Sequence, residues 1–148
     1  MQVLNFKPYD FRFKNSENKI YIFDVIRKKF VVLQPEEWVR QHVVHYLNKE
    51  KKYPLSHINV EKQLKVNNLA RRYDVVVFKP NGEIFILVEC KAPEIEITQK
   101  TFDQIARYNM QLQSNFLMVT NGLNHFYCNM DFEQEKYTFL KDIPDFSR

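Results

Sequence analysis

The stretch Tyr73-Asp74-Val75-Val76-Val77-Phe78-Lys79-Pro80-Asn81-Gly82-Glu83-Ile84-Phe85-Ile86-Leu87-Val88-Glu89-Cys90-Lys91 holds two apolar runs on either side of an Asn-Gly pair. Asn-Gly between apolar runs is the strongest short-range hairpin signal. Read as a two-residue turn, Asn81-Gly82 sets Phe78 opposite Phe85, Val76 opposite Leu87 and Asp74 opposite Glu89. On the other face Val77 meets Ile86, Val75 meets Val88 and Tyr73 meets Cys90. Both faces are apolar, so these read as central strands covered on both sides.

Two carboxylates directly opposite each other have Cβ atoms about 4.5–5.5 Å apart and destabilise a sheet unless something neutralises them. A divalent cation does so, and carboxylates with water suit Mg²⁺ or Mn²⁺. The period of two puts Lys91 on the face of Glu89 and turns Cys90 away. By the same register Arg72 falls opposite Lys91. One hairpin end then offers Asp74, Glu89, Lys91 and Arg72 on a single face, a set suited to metal-assisted phosphodiester hydrolysis. The lysine can orient water or stabilise developing charge, and Arg72 can hold a flanking phosphate. Glu-x-Lys occurs three times, at Glu17, Glu50 and Glu89. Of these, Glu89 alone ends an apolar run with an aspartate opposite. A charged strand end with surface ion pairs is the plain alternative, and a one-residue slip in register would move Asp74 off the face.

Upstream of the hairpin, Pro35 opens a helix with Glu36 and Glu37 in its first turn, where the dipole favours negative charge. Trp38, Val39, His42, Val43, Tyr46 and Leu47 form its apolar face, and the polar run from Asn48 to Lys52 ends it. Before it lies a β-rich lead-in over about residues 1–33, with strand-like runs at Phe11–Lys14, Ile20–Phe23 and Phe30–Leu33 and a turn at Asn15–Asn18. Ile58–Val66 is a further strand. A second helix is predicted from Thr98 to Gln113 with Phe102, Ile105, Ala106, Asn109 and Leu112 inward; Thr101–Gln104 offers a capping box one turn later. Phe116–Thr120, a second Asn-Gly at Asn121-Gly122 and His125–Cys128 predict another hairpin, with Tyr137–Leu140 a short last strand. The order predicts one α/β (α+β) domain over residues 1–148, a mixed central β-sheet flanked by helices.

Composition narrows the function classes. The 148 residues carry 22 Lys+Arg and 18 Asp+Glu, a net charge of +4, which permits a nucleic-acid partner without demanding one. With 13 Phe, 8 Tyr and 1 Trp the chain is too aromatic for disorder. Only 2 Gly exclude both a phosphate loop and a dinucleotide fingerprint, so these residues are no NTP-driven motor and no Rossmann dehydrogenase. The 2 Cys, Cys90 and Cys128, build neither a disulfide framework nor a zinc cluster, and a reducing cytoplasmic setting is expected. No run is long and apolar enough to span a membrane and no signal-peptide pattern opens the chain.

Asp74, a 14-residue gap and Glu89-Cys90-Lys91 match the bipartite PD-(D/E)xK nuclease pattern, with Tyr73 where that pattern has proline. Phe23-Asp24-Val25-Ile26-Arg27 and Pro35-Glu36-Glu37-Trp38-Val39-Arg40-Gln41 precede the hairpin. Val88-Glu89-Cys90-Lys91-Ala92-Pro93, Phe102-Asp103-Gln104-Ile105-Ala106-Arg107-Tyr108-Asn109 and Val119-Thr120-Asn121-Gly122 close it off. Jointly and in this order, over about residues 20 to 145, they resemble the N-terminal nuclease domain of type I restriction enzyme R (motor) subunits, in a small stand-alone form.

The resemblance implies a restriction-endonuclease-like fold and Mg²⁺-dependent cleavage of DNA. Asp74 and Glu89 carry over as metal ligands and Lys91 as the catalytic lysine. A helix glutamate of the same site falls on Glu36, four residues before Arg40, with Glu37 as its competitor. Gln104 and Tyr108 match the family's Gln-x-x-x-Tyr motif and share one helix face. Arg40 and Arg72 are the expected nucleic-acid contacts. Motor, modification or specificity subunits are the partners implied, and a homodimer fits double-strand cleavage, which needs two active sites. The helicase motors of the full subunits have no counterpart in these residues, so translocation is not expected of them. The competing reading is a non-catalytic nucleic-acid-binding or partner-docking module on the same fold. A glycoside-cleaving carboxylate pair fits less well, because Lys91 and Arg72 beside the acids point to phosphate. His42 and His45, three apart, lack further ligands at metal spacing and read as core or surface residues.

Overall fold

The structure, a computed structural model, describes residues 1–66 and 68–147. Three short antiparallel strands, β1 (Phe13–Ser16), β2 (Lys19–Asp24) and β3 (Lys29–Val32), come first. Helix α1 (Pro35–His45) follows, then a π-helical turn at Tyr46–Glu50. The main sheet has strand order β4-β5-β6-β7-β8-β9, with β4 (Ile58–Val66), β5 (Leu69–Phe78), β6 (Ile84–Cys90), β7 (Phe116–Thr120), β8 (His125–Asp131) and β9 (Lys136–Leu140). The β6–β7 pair is parallel and the others are antiparallel. Helix α2 (Gln99–Asn109) makes the crossover that a parallel pair requires. The expected mixed sheet flanked by helices is what forms.

Two apolar layers sandwich the sheet. Val75, Val77, Ile86, Val88, Cys90 and Met118 pack with Val39, Val43 and Leu47 of the α1 region and with Ile22 of the lead-in. Val76, Leu87, Leu117, Val119 and Cys128 pack with Phe102 and Ala106 of α2. Period-two strands bury opposite side chains under opposite helices, which is why β5 and β6 read as unbroken apolar runs.

Both Asn-Gly hairpins are longer than a two-residue turn. Lys79 donates its N–H to the Glu83 carbonyl at 2.7 Å and Gly82 donates to Lys79 at 2.9 Å. Phe78 therefore pairs with Ile84, not Phe85. A bulge between Val77 and Phe78 takes up the difference, so Val77–Ile86, Val76–Leu87 and Val75–Val88 pair as the shorter turn would have set them. At the second hairpin Thr120 pairs with His125. Asn121 folds its own loop there, its Oδ1 accepting from the N–H groups of Leu123 and Asn124.

Other differences are local. The first hairpin turns at Glu17 and Asn18, both at positive φ, with β1 running on through Ser16. Thr98 caps α2, its hydroxyl accepting the Thr101 N–H at 3.1 Å, so the capping box at Thr101 is not used. The helix ends at Asn109, and a 3₁₀ turn (Met110–Leu112) leads to Gln113 at positive φ. The run from Asn48 does not end α1 at once, because the π-helical turn carries the chain to Lys51.

Candidate active site

The site lies at the β5–β6 end where Asp74, Glu89 and Lys91 come together. Asp74 does not sit in a regular rung. The β5–β6 pairs run from Phe78 only to Val75, and the β4–β5 pairs skip from Val60–Val75 to Lys62–Tyr73. The missing rung is Glu61 against Asp74. Glu61 has φ +54 and is, among the described residues, the one non-glycine at positive φ inside a strand. Side-chain alternation on β5 breaks at the same point. Tyr73, which parity would place with Val75 and Val77 under α1, packs instead with Val76 and Leu87 under α2.

That break decides which arginine reaches the site. Arg72 was expected opposite Lys91; it pairs with Gln63 of β4, and its guanidinium goes to Glu61 at 3.2 Å. Arg71 reaches Glu89 instead, Nη2 to Oε1 at 3.2 Å, with its guanidinium 4.2 Å from the Tyr108 ring centroid. Nothing in the sequence pointed to Arg71, because strict alternation excluded it.

Asp74 is held from two sides. Its Oδ2 accepts the Cys90 N–H at 2.8 Å, and its Oδ1 takes Arg40 Nη2 at 3.0 Å. Arg40 is the hub of the carboxylates: Nη1 meets Glu37 at 2.7 Å, and Nη2 meets Glu61 at 2.7 Å and lies 4.0 Å from Glu36. Burial disfavours its charge, but Glu37 and Asp74 outweigh burial and hold Arg40 more firmly protonated than an ordinary arginine. Arg40 is buried among acids, so its expected role as a nucleic-acid contact is not what its surroundings provide.

The two candidate helix glutamates separate cleanly. Glu37 belongs to a structural chain in which Arg27 Nη2 meets Glu37 at 3.0 Å and Arg27 Nε meets Asp24 at 2.8 Å. Gln41 donates to both Asp24 and Glu37. Glu36 is half exposed and faces Asp74 and Lys91. Its carboxyl is pushed above the usual range by burial and then by the Asp74 charge, against Arg40 and Lys91. Glu89, buried, is pushed the same way by burial and Asp74, against Arg71 and Lys91. Lys91 is therefore near both glutamates, and its own N–H donates to Thr120 of β7 at 2.8 Å.

On α2, Tyr108 touches the site through Arg71, and Gln104 lies exposed one turn earlier. Asn109, expected inward as a core residue, is buried beside Glu89 and close enough to favour its charged form, yet among the described residues no hydrogen bond closes at its amide. Among the described residues the buried Tyr73 hydroxyl also has no partner. Among the described residues, no three His, Cys, Asp or Glu side chains are already gathered as a metal site. The donor chemistry nevertheless fits a hard divalent cation: Asp74, Glu89 and Glu36 are oxygen donors, and Glu36 and Glu89 are raised toward protonation by burial and then by the Asp74 charge.

The sequence model of the type I restriction enzyme R protein N terminus (HSDR_N) matches residues 35–144. The chain belongs to this family. The match starts at the Pro35 that opens α1 and takes in the whole main sheet, so every residue of the site lies inside it, while the β1–β3 sheet lies outside. The family supports a restriction-nuclease-like domain. A search of curated proteins gives no match. No helix of the described residues is long and apolar enough to cross a membrane.

Proposed function

We propose that this HSDR_N-family chain is an endodeoxyribonuclease dependent on Mg²⁺ or Mn²⁺. The observation that carries the reading is the meeting of Glu36, Asp74, Glu89 and Lys91 at one strand end, where burial and then the Asp74 charge raise both glutamates. Asp74 and Glu89 hold the metal, and Glu36 completes the acidic set. When bound, the ion polarises a phosphoryl oxygen and lowers the pKa of a water.

The protein's own residues do the rest. The Cys90 N–H fixes one oxygen of Asp74, and so orients the carboxylate across the strand gap. Lys91 carries an ammonium whose charge is felt by Glu36 and Glu89, and it stabilises negative charge developing on a phosphate. Arg71, stacked on Tyr108, holds Glu89 and brings α2 to the site. Gln104, exposed on the same helix, and Arg72, exposed beside Glu61, are placed for DNA. Other subunits of a restriction system and a second copy of this chain, supplying the second active site of a double-strand cut, are the proposed partners, in a cytoplasmic setting.

Calorimetric titration with Mg²⁺ and Mn²⁺ tests the site on the wild type and on an Asp74→Ala/Glu89→Ala variant checked for folding. Binding that the variant loses is the expected result. Because Arg40 occupies Asp74 and Arg71 occupies Glu89, the titration is run with and without a short duplex. Absence of binding in both conditions would favour a non-catalytic DNA-binding module.

A further inference from the structure

The net charge of this chain is not spread over it. Residues 1–33 hold 7 Lys+Arg (Lys7, Arg12, Lys14, Lys19, Arg27, Lys28, Lys29) against 3 acids (Asp10, Glu17, Asp24), a surplus of 4. The whole chain has 22 against 18, so residues 34–148 hold 15 of each. The family-matched part, with its acidic cluster, offers a polyanion no net attraction. The surplus lies in residues 1–33, which hold the β1–β3 sheet.

The cations there are poorly neutralised. Of the seven, Lys7 pairs with Glu50 and Arg27 with Asp24 and Glu37. Arg12, Lys14, Lys19, Lys28 and Lys29 are exposed and make no ion pair among the described residues. Asp24, one of the three acids, is buried and committed to the Arg27 side chain and to the N–H groups of Ile26 and Arg27.

Two of the free cations are also held in place. The Arg12 guanidinium lies 4.6 Å from the Phe23 ring centroid, and Lys14 Nζ lies 4.7 Å from that of Phe30. Phe23 and Phe30 pair across β2 and β3, and Lys14 pairs with Tyr21 across β1 and β2. Cation–π contact steadies such side chains without removing their charge. Less ordering entropy is then lost when a phosphate binds.

The sheet is joined to the site by an unbroken run of ion pairs. Asp24, Arg27, Glu37, Arg40 and Asp74 follow one another at 2.8, 3.0, 2.7 and 3.0 Å. The β2–β3 turn that presents Lys28 and Lys29 starts at Asp24 of this run. We propose that the outer face and β2–β3 turn of the β1–β3 sheet, through Arg12, Lys14, Lys28 and Lys29, form a phosphate-backbone docking surface that anchors DNA beside the acidic site. The proposal rests on DNA being the substrate, but not on cleavage.

Four neutralising substitutions, Arg12→Gln, Lys14→Gln, Lys28→Gln and Lys29→Gln, test it in a Lys91→Ala background. A control carries the same charge change elsewhere: Lys65→Gln, Lys100→Gln, Lys136→Gln and Lys141→Gln. Affinity for a fluorescent duplex is measured by anisotropy across a salt series, after thermal unfolding shows both sets folded. Four lost phosphate contacts flatten the plot of log K against log salt by about 3 to 4. The sheet variant is expected to show that flattening and at least about tenfold weaker binding at low salt, with the control changing the slope by less than about 1. Equal effects in the two sets, or no effect in the sheet set, would overturn the proposal. DNA binding with the sheet effect but no cleavage by the Lys91 protein would leave the surface standing and remove the nuclease reading. No DNA binding at all would remove both.

Discussion

Glu61 Oε1 lies 2.7 Å from Arg40 Nη2, and Glu61 makes this contact from a left-handed backbone in mid-strand, opposite Asp74. The same nitrogen of Arg40 meets Asp74 at 3.0 Å. Glu61 thus shares the guanidinium with the candidate metal ligand. Strained non-glycine residues persist where the surroundings over-determine them, and they cluster at functional sites. A left-handed conformation costs a residue with a Cβ about 1–2 kcal/mol. Glu61→Gly should therefore be more stable than Glu61→Ala by about 1 kcal/mol, although both lose the ion pair. Urea unfolding of the two variants measures it, and equal stability would mean the backbone there carries no strain.

Arg40 is buried with Glu37 and Asp74 on it. Removing one partner of a buried ionic group is far worse than never having built it. Arg40→Leu should lose about 3–5 kcal/mol at neutral pH. A loss below about 1 kcal/mol at neutral pH, by the same urea assay, would show the network to be solvated.

His45 is buried against Phe11, the rings stacked 4.6 Å apart, and neither ring nitrogen has a partner among the described residues. Burial, with His42 and Lys49 adding repulsion, pushes its pKa from 6.5 down to about 4. The unfolded chain then binds the proton more tightly than the folded one. Stability is expected to be fully present above pH 6.5 and to fall as pH drops from 6.5 toward about 4. Burial lowers His42 as well, with the same sign. His45→Leu should flatten this acid-side slope, and an unchanged slope in unfolding curves collected across that range would exclude His45 as its source.

The two glycines make a graded pair. Both have φ +88. A Cβ at Gly82 meets nothing, whereas at Gly122 it would come within 3.0 Å of Leu4 and 3.1 Å of Val39. Gly82→Ala should cost about 1 kcal/mol, from backbone strain alone. Gly122→Ala should cost more, about 2–4 kcal/mol, because overpacking adds to the strain. Asn121 beside it also donates to the Ile95 carbonyl in the segment after Lys91, so thermal unfolding of this variant reports on the support of the site. Equal losses at the two positions would contradict the packing around Gly122.

Much of this fold is legible in the amino-acid sequence. The apolar runs around Asn81-Gly82 located β5 and β6, and Pro35 and Thr98 marked the two helix starts, because periodicity and caps are local properties. The pairing of Val75 with Val88 was readable even though the turn was not, since the Val77/Phe78 bulge compensates the longer loop. The expected rungs beyond it, Asp74 opposite Glu89 and Tyr73 opposite Cys90, do not form, because the β5–β6 ladder stops at Val75–Val88. What alternation could not reveal was its own failure: Glu61 leaves the ladder at Asp74, and Arg71 rather than Arg72 then meets Glu89. The fate of Arg40 was hidden for a related reason. Its partners Glu61 and Asp74 are distant in sequence, and only the packed α1–β4–β5 corner buries them together.

The most direct test of the account is the rate at which the protein cuts duplex DNA in Mg²⁺ or Mn²⁺, measured for the wild type and for Lys91→Ala with matched folding and metal binding. The account predicts cleavage by the wild type that requires the divalent ion and falls about 100-fold or more in Lys91→Ala, as for other groups that stabilise developing charge. Cleavage that Lys91→Ala retains, or a wild type that binds the duplex and cuts it with neither ion, would contradict it.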